Sequence, residues 1–305
     1  MIAMAVPARH PLPPTGMPDI HPTAIVDGSA ELAEGVRVGP YCIVGPQVSI
    51  GPGTELRGHV VVESHTRIGS ECVLFHFACV GGTPQDRKFR GEVTWCEIGD
   101  RNHIREHVTI HRGTGNGGGI TRVGHDNLIM AGSHVAHDCI VGSFCTIANE
   151  VMLAGHVVVE DGVTIAGGSG FHHFVTVGRG AMVAGLARVE RDVPPYMIVE
   201  GHPAAVRAPN IVFCERRQFS AAAIEAVKVA YRRIYGPRVE RLGLSKEDSI
   251  AALRREFVTL PEITELLDFE TRTMAHPKHR HREHLRHDDK RAAVTRTAGA
   301  ASIAS

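Results

Sequence analysis

A chain of 305 residues with 33 basic and 33 acidic side chains has room for one large unit plus a smaller one and carries no net charge. That balance argues against binding of nucleic acid or a membrane surface by the protein as a whole. Seven cysteines without a CxxC pair favour neither a disulfide framework nor a zinc site. No stretch approaches the ~18 consecutive apolar residues of a membrane span, so we expect a cytoplasmic protein without integral membrane contact.

The amino-terminal segment contains proline from residue 7 onward and never builds the apolar run of a signal peptide. We expect residues 1–18 to be a disordered, proline-rich extension. The regular pattern of the chain begins after it.

Aliphatic residues then recur at every sixth position over most of the chain. The first series comprises Val26, Leu32, Val38, Val44, Ile50, Leu56, Val62, Ile68, Leu74 and Val80, and resumes at Ile98, Ile104 and Ile110. The second comprises Val123, Ile129, Val135, Val141, Ile147, Leu153, Val159, Ile165, Phe171, Val177, Val183 and Val189. A period this short is typical of a parallel β-solenoid and excludes helical-hairpin repeats. We predict a three-sided solenoid over residues 19–208.

Two further positions of the repeat are small. The residue two places before the aliphatic one is mostly Ala, Ser, Thr or Cys, and five of the seven cysteines fall there: Cys42, Cys72, Cys96, Cys139 and Cys145. We interpret these cysteines as small core residues. Glycine often follows the aliphatic residue, as at Gly51 and Gly124, where we expect tight corners that need permissive backbone angles.

Two stretches interrupt the repeat, residues 81–95 (GGTPQDRKFRGEVTW) and 112–122 (RGTGNGGGITR). Loops that leave a rigid scaffold often carry function. The glycines of the second stretch lack the spacing and the lysine of a phosphate-binding loop, so this stretch is either functional or a tolerated insertion.

After the solenoid the pattern becomes helical, and we predict a small helical domain over residues 209–272. Ser220 is a candidate helix cap, Ser245 with Asp248 forms a capping box, and Pro261 can open a further helix. The remainder, residues 273–305, is polar and rich in histidine and arginine, and we predict that it is disordered.

The stretch HVAHDCIVG, residues 134 to 142, raises three interpretations: a catalytic base with its carboxylate, a pair of metal ligands, or surface histidines on an ordinary repeat. The chain has 20 histidines, and position alone favours the surface interpretation. A neutral imidazole with a pKa near ~6.5 is nevertheless suited to take a proton at neutral pH.

Several segments together resemble the UDP-N-acetylglucosamine 3-O-acyltransferase family, within the hexapeptide-repeat acyltransferases. They are IHPTAIV, GPYCIVGP, PQDRKFRGE, IGDRNHIREHVTIHRGT, SHVAHDCIVG, LAGHV, DVPPYMIVEG and ERRQFS, and the resemblance covers about Ile20 to Phe269. It implies a left-handed parallel β-helix with a small carboxy-terminal α-helical domain. It also implies transfer of an (R)-3-hydroxyacyl group from acyl carrier protein to the sugar 3-hydroxyl, the first step of lipid A synthesis, by a homotrimer with sites between neighbouring prisms. No metal is expected, and no cofactor beyond the phosphopantetheine of the carrier.

The resemblance also implies residue roles at the reacting atoms. His137 matches the family's base and Asp138 its orienting carboxylate, and the backbone N–H of Gly155 matches a donor to the oxyanion. His134 and His156 are expected to line the substrate cleft.

Binding residues follow from the same resemblance. Positions that match contacts to the sugar nucleotide are Gln85, Asp86, Lys88, His172, His173, Asn210, Arg216 and Arg217. His173 departs from the glutamine common in the family, which leaves a 3-amino sugar open as the acceptor. Gly185 matches the residue that limits acyl length, and a glycine there leaves room for a longer chain.

Three alternatives stay open at this point. A sister family N-acylates an acylated glucosamine on the same solenoid with a histidine base, although it normally has an amino-terminal domain for which we expect no room here. A solenoid of the carbonic anhydrase type would bind zinc through three histidines, for which His134, His137 and His156 are candidates. A non-catalytic scaffold is the third.

Overall fold

The computed structural model describes residues 16–236 and 245–286. The predicted disorder of residues 1–15 and 287–305 lies outside these ranges. Among the described helices, none combines the length and apolarity that crossing a bilayer requires.

The described residues form a three-sided coil of short strands, one strand per side in each turn. Sheet A contains β1 (Asp19–Ile20), β4 (Arg37–Val38), β7 (Glu55–Leu56), β10 (Val73–Leu74), β13 (His103–Ile104), β16 (Leu128–Ile129), β19 (Thr146–Ile147), β22 (Thr164–Ile165), β25 (Met182–Val183), β27 (Met197–Gly201) and β28 (Ala204–Pro209). Sheet B contains β2 (Ile25–Val26), β5 (Ile43–Val44), β8 (Val61–Val62), β11 (Cys79–Gly82), β14 (Thr109–His111), β17 (His134–Val135), β20 (Met152–Leu153), β23 (Gly170–Phe171) and β26 (Arg188–Val189). Sheet C contains β3 (Glu31–Leu32), β6 (Ser49–Ile50), β9 (Thr66–Ile68), β12 (Trp95–Ile98), β15 (Ile120–Val123), β18 (Ile140–Val141), β21 (Val158–Val159) and β24 (Thr176–Val177).

Stacking of the turns explains the sequence period. Ile25 pairs in parallel with Ile43, one turn later, and parallel pairing of adjacent turns continues along each side until the final antiparallel pair of β27 with β28. The aliphatic series and the small positions point inward and form one continuous core. The five cysteines at the small positions are buried there, and burial raises the pKa of the Cys139 thiol to about 12. The prediction that they are small core residues is confirmed.

The glycines that follow the aliphatic residues have a different role from the one predicted. Neither Gly51 nor Gly124 has a positive φ. A Cβ on Gly51 would lie 2.7 Å from the backbone carbon of Gly69 in the next turn, so these glycines allow the turns to stack closely. The left-handed backbone falls instead on residues just before the small inward position, including Asp138 at φ 61° and His156 at φ 65°.

Both interruptions leave the coil at the same edge, where sheet B meets sheet C (the B/C edge). The strands extend into the predicted loops, because Gly82 pairs with His111 and Ile120 pairs with Trp95. The inserted residues outside the strands are therefore 83–94 and 112–119, the second of which includes a 3-10 helix at Gly115–Gly117. The remaining edges are the A/B edge and the C/A edge.

The helical domain follows the last strand. Its described helices are α1 (Ile211–Arg216), α2 (Ala221–Ile234), α3 (Lys246–Glu256) and α4 (Pro261–Met274). The predicted caps are present, since Ser220 Oγ accepts from the N–H of Ala223 and Ser245 Oγ accepts from that of Asp248. The apolar faces of the helices form a second core with Tyr196 and Met197 at the end of the solenoid.

The beginning of the predicted disordered tail is ordered. Helix α4 continues to Met274, and a 3-10 helix spans His281–Leu285. Composition alone predicts that the polar side chains of this segment are solvated. The structure instead gives His281 a specific partner, since its Nδ1 lies 2.7 Å from the buried carboxylate of Asp192.

Candidate active site

The HVAHDCIVG stretch places a histidine–aspartate pair at the B/C edge. Strand β17 ends at Val135, and the corner that follows turns through the left-handed backbone of Asp138. This conformation brings the carboxylate back to the preceding imidazole, so that His137 Nδ1 lies 2.7 Å from Asp138 Oδ2. Both residues are buried, at 7% and 3% exposure. The interpretation of His137 as an ordinary surface histidine is therefore wrong, because its ring is buried at the B/C edge against a carboxylate.

The second insertion holds the carboxylate of Asp138. The Thr114 N–H donates to Asp138 Oδ1 at 2.8 Å, and the Thr114 hydroxyl donates to Oδ2 at 2.7 Å. The Asp138 N–H in turn donates to Thr121 Oγ1 at 2.8 Å. Because an ionised carboxylate only accepts hydrogen bonds, Nδ1 of a neutral His137 carries the proton and its Nε2 is left as the acceptor.

A glycine leaves space beside that acceptor nitrogen. A Cβ on Gly155, one turn after His137, would lie 2.7 Å from His137 Nε2 and 2.5 Å from Cε1. Any larger residue would push the ring away. Gly155 therefore keeps open the place where a substrate atom can approach the base.

Three further histidines surround the pair. Burial lowers the pKa of His156 and of His111 to about 4 each, and the neighbouring imidazoles add to this effect. Burial also lowers the pKa of His134, with His137 as the second cause, and its Nδ1 lies 2.7 Å from Thr109 Oγ1. These rings are neutral at neutral pH, so they act as hydrogen-bonding groups rather than as cations.

A cleft of about 420 Å³ opens onto this cluster. Of the residues predicted from the sequence, it brings together Gln85, His134, His137, Gly155, His172 and His173. Its floor is the outer surface of sheet B, with Met152, Gly170 and Arg188 on successive turns. The cleft thus combines a base, small residues and an apolar surface in one groove.

The tip of the first insertion lies near the same edge. Lys88 Nζ lies 3.6 Å from Asp86 Oδ2, so the two charges predicted to contact the sugar are paired with each other. Lys88 also contributes to lowering the pKa of His156, although burial is the main cause and the charge of Asp138 opposes it. The first insertion, which was predicted to contact the sugar, is therefore close enough to the cleft for its Lys88 charge to influence His156.

Other predicted binding residues lie on different edges. Asn210 caps α1, since its Oδ1 accepts from the Phe213 N–H, and its Nδ2 donates to the Gly180 carbonyl at the C/A edge. Arg216 ends the same helix, and the Arg217 guanidinium lies 5.0 Å from the Phe144 ring centroid at that edge. Gly185 lies exposed at the A/B edge. One protomer does not join these four residues to the cleft.

Sequence reasoning missed four residues of the site. Thr114 and Thr121 hold Asp138, His111 lies against His134 with ring centroids 4.8 Å apart, and Phe174 stacks on His156 at 4.3 Å. The glycine-rich stretch around Thr114 was the one feature of the sequence that could have indicated these contacts. It leaves room for Asp138, because a Cβ on Gly117 would lie 2.0 Å from Asp138 Cγ.

The cluster differs from the zinc site considered above. The ligand atoms that lie within 4.8 Å of one another belong to His137, Asp138 and His156, whereas the zinc hypothesis required His134. His134 Nδ1 is instead engaged with Thr109, and both Asp138 oxygens accept hydrogen bonds from Thr114. Hydrogen bonding accounts for the arrangement of these side chains.

We expect Gly117→Ala to lower kcat about tenfold while KM changes little, because the new methyl group must displace the carboxylate that orients His137. Steady-state kinetics measures this effect. Gly28→Ala is the matched control, since a Cβ at Gly28 meets nothing within 4 Å. Equal kinetics for the two variants would contradict this role of the second insertion.

Comparison with known families gives consistent matches. The model of Udp N-acetylglucosamine O-acyltransferase domain 2 matches residues 192–276, and that of bacterial transferase hexapeptide repeats matches residues 120–155. With these repeats, the three-sided coil is the predicted left-handed parallel β-helix.

Solved structures match over most of the chain. LpxA from Acinetobacter baumannii is 43% identical, with a TM-score of 0.77, over 82% of this chain and 95% of that chain. The UDP-N-acetylglucosamine O-acyltransferase of Moraxella catarrhalis is 42% identical over the same shares, also with a TM-score of 0.77. LpxA from Bacteroides fragilis is 37% identical over 83% of this chain and 96% of that chain, with a TM-score of 0.79. The chain belongs to the UDP-N-acetylglucosamine O-acyltransferase family.

Proposed function

We propose that the protein transfers an (R)-3-hydroxyacyl group from acyl carrier protein to the 3-hydroxyl of UDP-N-acetylglucosamine in the cytoplasm, as the first step of lipid A biosynthesis. The observation that carries this proposal is the acceptor nitrogen of His137, fixed by Asp138 and facing the space that Gly155 leaves in the cleft. Family membership supports the reaction class.

This geometry supports the following reaction. His137 Nε2 takes the proton of the sugar hydroxyl as its oxygen attacks the thioester carbonyl, and Asp138 stabilises the imidazolium that forms. The Gly155 N–H donates to the oxyanion of the tetrahedral intermediate, a type of contact worth about 3 kcal/mol. Collapse breaks the C–S bond, and the phosphopantetheine sulfur takes the proton from His137 and leaves as the thiol. The thioester is already activated, so we expect no metal and no added cofactor.

A homotrimer completes the site in this proposal. Asn210, Arg216 and Arg217 lie at the C/A edge, so they reach a cleft at the B/C edge only when a neighbouring copy supplies them. Exposed apolar side chains on sheet B, including Ile43 and Met152, are suited to packing between copies. The two arginines would then hold phosphate oxygens of the nucleotide.

The acceptor and acyl length are testable together. We expect the chain to form an ester with UDP-N-acetylglucosamine and, because Gly185 leaves room, to prefer longer 3-hydroxyacyl carriers from a mixed pool. Mass spectrometry with fragmentation of the product identifies the bond and the chain length. Gly185→Met should shift the product to shorter chains, whereas Gly28→Met should not.

Two outcomes would contradict the proposal. Preferential amide formation on the 3-amino analogue, offered at equal concentration, would favour the acceptor that His173 leaves open. Preference of the parent protein for the shortest carrier would contradict the role of Gly185.

A further inference from the structure

The segment of residues 275–286, which we call the C-terminal strap, folds back over the last turns of the coil. The matched domain model ends at residue 276, so most of the strap lies outside it. The N–H and Nδ1 of His281 lie 2.8 Å and 2.7 Å from Asp192 Oδ2. Arg280 Nη1 donates to the carbonyl of Glu190, a residue that lines the cleft. The strap is therefore attached to the wall of the candidate active site.

A buried glutamate organises the strap. Glu283 is 6% exposed, and Lys278, Arg280 and Arg286 each place a nitrogen 2.9 Å from its carboxylate. Burial by itself would raise the pKa of Glu283, but the hydrogen bonds from Arg280 and Lys278 outweigh it and the pKa falls to about 2. The glutamate is thus ionised and holds the three cations in one arrangement.

Arg286 ends a column of rings that leads to the base. Its guanidinium carbon lies 5.0 Å from the centroid of the Phe174 ring. His156 stacks on Phe174 at 4.3 Å with an interplanar angle of 4°, which fills one face of that ring, so Arg286 covers the other. His156 then meets His137 edge to face, with centroids 5.2 Å apart.

We propose that the strap is a positioning element of the transferase site: Arg286 covers Phe174 and thereby shields His156 from water and keeps it in place against the His137–Asp138 pair. This inference rests on the proposed function. It assigns the strap a role in the reaction, since the column runs unbroken from Arg286 to the base.

The charges around His156 explain why its position matters. The groups whose charges act on the pKa of His156 are Asp138, His137, His173 and Lys88. Its Nε2 lies 3.8 Å from Asp138 Oδ2, the oxygen that accepts from His137 Nδ1. If water reached His156 and its pKa rose, the imidazolium would compete for that oxygen and loosen the base.

The test uses the full chain with Arg286→Ala. We expect kcat to fall about tenfold near pH 6 and less at pH 8, with KM for the sugar nucleotide within about twofold of the parent value. NMR titration of the ring resonances of His156 should show its pKa rising from about 4 toward the ordinary value of 6.5. Phe174→Leu should give the same shift, and leucine tolerates this backbone, because Leu186 has a similar φ of 57°.

Arg254→Ala is the matched control, since Arg254 makes an ion pair with Asp268 in the helical domain. It should leave the kinetics and the titration of His156 unchanged. An unaltered His156 titration in Arg286→Ala, or a loss of kcat equal at every pH, would overturn the inference. Because the titration needs no substrate, it tests the strap separately from the proposed function, which fails instead if the parent protein makes no acylated sugar.

Discussion

We expect His137→Ala to lower kcat for acyl transfer by about 10³-fold and to leave KM for UDP-N-acetylglucosamine close to the parent value. The variant removes the group that takes the proton from a weakly acidic sugar hydroxyl, and general bases contribute about 10²- to 10⁴-fold to such reactions. Binding of the sugar nucleotide depends on other residues, so the loss falls on the chemical step. Steady-state kinetics with a 3-hydroxyacyl carrier measures both parameters.

The control for this prediction is His21→Ala. His21 is an exposed histidine at the A/B edge in the first turn of the coil, with its Nδ1 2.9 Å from Thr23 Oγ1. It lies away from the cleft and from the C/A edge that a neighbouring copy would bring to the cleft. We expect its kcat to be unchanged. Similar losses in the two variants would show that the effect of His137→Ala reflects general perturbation of the coil.

Asp138→Asn is expected to lower kcat by about 10²- to 10³-fold, because an amide nitrogen in place of Oδ2 donates to His137 Nδ1 and leaves the proton on the wrong ring nitrogen. Asparagine tolerates a φ of 61°, so the corner is retained. The Thr114 N–H still has an oxygen acceptor. The loss is measured as the ratio of the kcat values of variant and parent at equal thermal stability.

A second aspartate provides the comparison for this variant. Asp27 Oδ1 accepts from the N–H of Ser29 at 2.9 Å in the first turn of the coil, so Asp27→Asn makes the same chemical change away from both the base and the C/A edge. It should leave kcat as it is. If Asp138→Asn were equally harmless, Asp138 would have no part in setting the tautomer of His137.

The periodic part of the fold could be predicted from the sequence, because each inward position is fixed by burial. The aliphatic series and the small residues at Cys139 and Cys145 lie where the period places them. The helix caps at Ser220 and Ser245 were equally predictable, since they depend on local hydrogen bonds.

The six-residue period could not predict which side chains contact the His137–Asp138 pair. The second insertion lies between Thr109 and His134, so neighbours on adjacent turns are 25 positions apart there instead of the usual 18. The contacts of Thr114 and Thr121 with Asp138 depend on how that insertion folds back. A glycine-rich composition indicates flexibility of the backbone and does not specify its path.

The strap shows a different limit. Its composition is polar, and a polar segment normally lacks the apolar surface needed to fold. Here the buried carboxylates of Asp192 and Glu283 supply the partners that order it. Asp192 is distant from the strap in sequence, and Glu283 pairs with Arg280 only when the residues between them form a turn. The predicted disorder therefore began too early in the chain.

The resemblance assigned to one site residues that lie on different edges of a single chain. His137 and His173 share the cleft, whereas Arg217 lies at the C/A edge and Gly185 at the A/B edge. A list of matched positions carries no information on which copy supplies each one. The spatial separation is what makes the trimer part of the proposed function.

The most direct test of the account is single-turnover ester formation by the His137→Ala protein, assayed in the oligomeric state of the parent protein with and without added imidazole. The account predicts a very slow reaction that accelerates with the concentration of neutral imidazole, because the free base then occupies the space beside Gly155. Ester formation at the parental rate without imidazole would contradict it.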